Sequence, residues 1–215
     1  MNKKTILIVA AVIVGVVGFM LLTKPKAQTT TSGVSASSHI EGKGSSGITL
    51  VEYGDYQCPY CQQYYHVVKA IQQQFNDQIY FQFRNFPLES LHKNARAAAR
   101  AVEAANMQNA FWGMHDLVYQ NGDPNGTSGW VASSDPLSYF SGFAQQLGLD
   151  VNKFKTDFAS SQVNDVINAD IAAGDALGIT GTPTFYLDNK KLDPSPASVD
   201  EFAKVLNDAV TAKQK

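Results

Sequence analysis

Cysteine is nearly absent: the 215-residue chain holds 2, Cys58 and Cys61, three positions apart. A bridge between such close neighbours would close almost no chain, so this is not a fold stapled by disulfides. Charge of one sign is lacking as well. The formal net charge is -2 and no arginine-rich patch occurs, so nothing points to a nucleic-acid partner. The histidines His39, His66, His92 and His115 are scattered, with no spacing that would add two soft ligands to the cysteine pair. What the chain does have is one uncharged apolar run, residues 5–22, and a body rich in aromatic residues, as in an ordinary globular core.

The apolar run is long enough to cross a bilayer as a helix. A cleaved signal would carry a shorter apolar core followed by a small-x-small site, and Thr23-Lys24-Pro25-Lys26-Ala27-Gln28 is a poor one. The reading is therefore a leader at 1–4 and an uncleaved transmembrane anchor at 5–22, with a cleavable signal and a buried soluble helix as the alternatives. Lysines flank the run on both sides, so the charge bias hardly orients it; the very short leader places the N-terminus inside. Residues 23–47 are rich in Thr, Ser and Gly and read as a flexible tether. The remainder, 48–215, has the size of one domain.

Within that domain Ile48-Thr49-Leu50-Val51-Glu52-Tyr53 reads as a buried strand and Gly54-Asp55-Tyr56-Gln57 as the turn leaving it. Pro59 suits an early helical position, where its missing N–H does no harm. Tyr64, Val67, Val68, Ile71 and Phe75 follow at helical spacing, and residues 79–84 form a second strand. An alanine-rich helical stretch is expected over 91–119, punctuated only by Gly113, then an exposed loop over 121–134. Further helices run to Leu177, broken at Gly148. A short strand over 182–187, a turn at 188–191, an edge strand starting at Lys191 and a last helix over 199–212 complete the pattern. It describes a small α/β domain whose halves are separated by a helical block.

Cys58-Pro59-Tyr60-Cys61 is the informative motif. At the N-terminus of a helix, free backbone N–H groups and the helix dipole favour a thiolate, the species that attacks disulfides. Cys58 is expected to be the exposed attacking residue and Cys61, one turn in, the buried resolving one. A zinc site and a purely structural disulfide are the other readings of this spacing. Glu52 is a carboxylate in an otherwise apolar strand. It either faces solvent or is buried with a raised pKa.

The segment from Val51 to Cys61 resembles the active-site segment of the DsbA-like branch of the thioredoxin superfamily. The resemblance continues through Arg84-Asn85-Phe86-Pro87-Leu88, His92 to Ala105 and Phe111-Trp112-Gly113-Met114-His115, and resumes over Gly178-Ile179-Thr180-Gly181-Thr182-Pro183-Thr184-Phe185. It implies a thioredoxin fold with a helical insertion at about 90–178, here preceded by the N-terminal transmembrane helix. It also implies that Pro183 is the family's cis-proline, preceded by Thr182, and that Glu52 is the buried acid beneath the cysteines, assisting proton transfer at Cys61. Pro59, Tyr60, Thr182 and Pro183 become the candidate substrate-binding residues, while His92 and His115 are expected to be structural. The family's most oxidising members have Pro-His between the cysteines; Pro-Tyr departs from that, and Tyr60 cannot supply a histidine's charge.

The implied activity is extracytoplasmic thiol–disulfide exchange, introducing disulfides into exported proteins. The alternatives are a membrane-tethered reductase or isomerase and a non-enzymatic binding or chaperone-like module. No cofactor is needed, because the sulfurs carry the electrons. The expected partners are reduced cysteine-containing exported proteins and a membrane redox partner or small-molecule oxidant. The chain is expected to be a monomer, anchored once in the cell membrane with its catalytic domain outside the cytoplasm.

Overall fold

The computed structural model describes residues 35–214. The leader, the anchor at 5–22 and the first part of the tether lie outside these residues. Among the described residues no helix is long and apolar enough to cross a membrane.

The chain runs β1 (His39–Glu41), β2 (Ile48–Gly54), α1 (Pro59–Phe75), β3 (Ile79–Asn85), α2 (Ala95–Asn106), α3 (Phe111–Gln120), α4 (Gly129–Ala132), α5 (Pro136–Gln146), α6 (Val151–Ala159), α7 (Ser161–Ala176), β4 (Thr184–Leu187), β5 (Lys190–Lys191) and α8 (Val199–Lys213). The sheet has the strand order β1-β3-β2-β4-β5. β2 is parallel to β3, joined by the α1 crossover, and antiparallel to β4. A strand–helix–strand unit and a later hairpin thus meet in one sheet around β2.

Side chains alternate across a strand, and β2 uses both faces. Ile48, Leu50 and Glu52 share one face, and the main core holds Ile48 and Leu50 together with Cys58, Cys61, Phe81, Phe83 and Phe185. The opposite face carries Tyr53, which packs with Phe86, Ile179 and Tyr186. On the α1 side Phe185 lies between Tyr64 and Phe202, with ring centroids 5.5 and 5.1 Å away, so α1, the sheet and α8 are joined by aromatic contacts.

The helices α2 to α7 form the inserted block expected between the strands. Ala98, Ala101, Ala104 and Ala105 of α2 are all fully buried, and their small side chains let neighbouring helices approach closely. Two boundaries differ from the sequence reading. The helical stretch breaks at 107–110, where Asn109 takes a φ of 61°, and not at Gly113. Gly113 lies inside α3, where a Cβ would come within 2.9 Å of Leu147. The segment 121–134 is also not simply an exposed loop: Trp130 and Val131 of α4 are 0% and 1% exposed, and the Trp130 indole N–H donates to the Val118 carbonyl at 3.1 Å.

A third correction concerns the tether. Residues 23–47 read as unstructured, yet β1 pairs antiparallel with β3 and Ser37 is buried. The Ser37 N–H and hydroxyl both donate to Asp170 at 2.7 Å, and the Asn85 N–H donates to the same carboxylate at 2.9 Å. Beside it, His39 and Asn85 each hydrogen-bond Glu103, at 2.8 and 2.6 Å. Asp170 and Glu103 are 0% and 2% exposed, and such buried carboxylates need these partners. They tie the segment before β2 to the helical insertion, so the folded domain begins ahead of Ile48.

Candidate active site

β2 ends in a turn that delivers Cys58 to the start of α1. The Cys58 N–H donates to the Asp55 carbonyl at 3.0 Å, and the Asp55 side chain accepts from Gln57 N–H at 2.8 Å. Cys58 is the N-cap of α1 and Pro59 takes the first helical position, where no N–H is needed. Cys61 lies one turn further in, on the face turned to the core.

Both cysteines are free thiols in different surroundings. Cys61 is 0% exposed, and its sulfur accepts the Asp55 N–H at 3.5 Å. Burial, reinforced by the neighbouring Cys58, pushes its thiol well above the usual range. Cys58 moves the other way. The hydrogen bond from Cys61 is the largest influence; burial opposes it, while the Thr182 side chain and the backbone N–H groups of Cys61 and Tyr60 add to it. The Cys58 pKa is lowered from 9.0 to about 6. A thiolate at a helix N-terminus is the general form of this effect.

Cys58 is less exposed than expected, at 4%. The segment entering β4 lies over it: the Cys58 thiol donates to the Thr182 carbonyl at 3.4 Å, and the Thr182–Pro183 peptide is cis. It is Tyr60, 66% exposed, that faces solvent from the motif. Glu52 is buried, at 3% exposure, on the face of β2 that it shares with Leu50. Burial, and secondarily the charge at Cys58, raises its carboxyl from 4.5 to about 8. The solvent-facing alternative for Glu52 is therefore excluded. All seven candidate catalytic and substrate-binding residues lie on β2, the start of α1 or the segment entering β4.

His115 has the buried setting expected of a structural residue. Tyr56 OH lies 2.9 Å from its Nδ1, aromatic rings surround it, and burial holds its pKa well below the usual range. Sequence reasoning missed a set of braces behind the turn. Asp55 accepts from Leu88 N–H at 2.9 Å and from His92 Nδ1 at 2.7 Å, and Gln57 accepts from Asn94 N–H at 2.6 Å. The one local signal was an Asp at the head of a tight turn, a position where its side chain caps backbone two residues on.

A parallel β2–α1–β3 unit, an antiparallel β4 hairpin and a dithiol facing a cis-proline define a thioredoxin-type domain carrying a helical insertion. A family model described as thioredoxin matches residues 35–208. Among solved structures, the chain is similar to oxidised BdbD from Bacillus subtilis, with a TM-score of 0.69 at 22% identity over 83% of this chain and 98% of that one. It is also similar to DsbA2 from Pseudomonas aeruginosa, with a TM-score of 0.56 at 26% identity over 74% and 86% of the two chains. The chain belongs to the thioredoxin family, and the solved structures it is similar to include DsbA-like proteins. A stretch of 153 residues is 35% identical to the Na(+)/H(+) antiporter NhaA 1 of Salinispora arenicola; it covers 71% of this chain but only 22% of that protein. The chain thus spans about a fifth of the length of that relative, and ion transport is not carried over with the match.

Proposed function

We propose that the chain is a membrane-anchored, extracytoplasmic disulfide donor. In this reading a thiolate of a reduced exported protein attacks Cys58 Sγ of the oxidised pair. The Cys58–Cys61 bond breaks, and Cys61 leaves as a thiolate that takes a proton, with the neutral Glu52 carboxyl beside it as the relay. A second client thiolate then attacks the client sulfur of the mixed disulfide and expels the Cys58 thiolate. The client gains one disulfide and the pair gains two electrons, which a membrane redox partner or small-molecule oxidant removes.

The observation that carries this reading is the contrast between the two thiols, Cys58 lowered to about 6 and Cys61 raised. A low-pKa sulfur is a good leaving group, and stabilising the reduced form favours giving the disulfide away. Backbone beside Pro183 suits pairing with an extended client segment, and the exposed Tyr60 suits contact with its side chains. A tethered reductase or isomerase is the second reading, favoured by Tyr60 standing where the most oxidising relatives have histidine. The anchor at 5–22 rests on its length and lack of charge.

The test is to mix the oxidised full-length protein with a reduced, unfolded ribonuclease and count client thiols over time. Rapid loss of client thiols, matched by reduction of Cys58–Cys61, is expected. Inertness towards the reduced client combined with faster dithiothreitol-driven insulin reduction would replace the donor by the reductase. Inertness in both assays would leave a binding module.

A further inference from the structure

The helical insertion reaches the active-site turn through His92. Beside the Cys58–Pro59 end of α1 a groove opens, lined by Gln57, Pro59, Leu91, His92 and Asp123. His92 Nδ1 donates to Asp55 Oδ2 at 2.7 Å, and the Asp55 side chain is fully buried while that of His92 is 17% exposed. Asp55 is in turn bonded through its backbone to the Cys61 sulfur and to the backbone of Cys58. Its N–H points at Cys61 Sγ at 3.5 Å, and its carbonyl accepts the Cys58 N–H at 3.0 Å. One residue therefore links an imidazole to the cysteine segment, its carboxylate holding His92 and its backbone holding Cys58 and Cys61.

We propose that His92 is a positioning residue for Cys58: it fixes the turn through Asp55 and places beside the Cys58 sulfur an imidazolium charge that Pro59 and Tyr60 cannot supply. The inference rests on the reading of Cys58 as the reactive thiolate. The groups facing His92 agree with it. Asp55 comes from the turn and Cys58 from the start of α1. Lys93 turns its ammonium away to the Ala132 carbonyl at 2.9 Å. Asp123, across the groove, is occupied by Thr127 and Ser128 at 2.8 and 2.9 Å. The Asp55 hydrogen bond, opposed by burial and helped by the charges of Asp55 and Cys58, raises the His92 pKa, so the cation persists further into the neutral range. A cation held near a thiol favours its thiolate.

The experiment follows thiolate absorbance against pH in the reduced full-length protein, whose only thiols are Cys58 and Cys61. In His92→Gln, which can keep a hydrogen bond to Asp55 but not the charge, the Cys58 transition should move to higher pH. The thiolate-to-thiol ratio near pH 6 should fall roughly three- to tenfold. His92→Lys should restore part of it. An unchanged transition in His92→Gln would overturn the proposal and leave His92 as a brace only. Should His92→Gln not fold, as judged by circular dichroism, the reciprocal measurement decides. By NMR the His92 titration should lie lower in Cys58→Ser than in the reduced parent, and equal midpoints would overturn the proposal. A parent protein with no depressed Cys58 transition at all would instead defeat the underlying reading of Cys58.

Discussion

Replacing Cys58 with serine abolishes thiol–disulfide exchange, whereas replacing Cys61 with serine stalls it halfway. A serine oxygen can neither form the mixed disulfide nor be expelled from one, and Cys61 cannot substitute. It is 0% exposed, and burial raises its thiol, so almost none of it is thiolate near neutral pH. Loss of orders of magnitude in client oxidation is therefore expected for Cys58→Ser. Cys61→Ser retains the low-pKa sulfur at the helix start but can neither form the disulfide nor resolve an adduct. With an oxidised client, whose disulfide the Cys58 thiolate attacks with release of one client thiolate, a mixed disulfide should therefore accumulate. Non-reducing electrophoresis after acid quenching reads both results. Adducts through Cys61 in Cys58→Ser would show that the roles are reversed.

Glu52→Gln has the second largest effect, and it depends on pH in a defined direction. The carboxyl is raised to about 8 in the folded protein, against 4.5 ordinarily, chiefly because it is buried. Between those two values the folded protein holds a proton that the unfolded chain has released. Stability is therefore lost as pH rises through this window, and the loss is complete above the folded value. Glutamine never ionises. The variant should match the parent near pH 4 and become progressively more stable than it towards pH 8, by up to a few kcal/mol. Thermal melts of both reduced proteins across that range measure the difference. The same substitution should slow formation of the mixed disulfide, since it removes the proton carrier beside the departing Cys61. Parallel stability profiles would mean that Glu52 is ionised, or hydrated, in the folded state.

The parts of the fold legible in the sequence are those with a local signature. β2 and β3 are short apolar runs, α1 has its helical spacing, and the motif at Cys58–Cys61 carries its chemistry in four residues. Resemblance supplied what local pattern could not, namely the opposition of Pro183 to the cysteines and the burial of Glu52. β1 escaped notice because a strand of 3 residues in a Ser- and Gly-rich stretch has no periodicity to detect. Its place is decided by partners far along the chain, Asp170 for Ser37 and Glu103 for His39. Trp130 escaped for a related reason. Gly, Pro, Asn and Ser around it signal turns correctly, but the indole is drawn inward by the Val118 carbonyl and Phe140, whose ring lies 5.5 Å away. The link between His92 and Asp55 spans 37 positions, and only the folded insertion brings the two together.

Whether the Cys58–Cys61 pair gives its disulfide away is decided by its equilibrium reduction potential. The measurement is a glutathione titration of the full-length chain, which retains the buried Ser37 that a domain cut at His39 would lose. An oxidising couple is expected, at about -120 mV as for the strong oxidants of this superfamily. A value near about -270 mV, as in thioredoxin, would contradict it and make the protein a reductase.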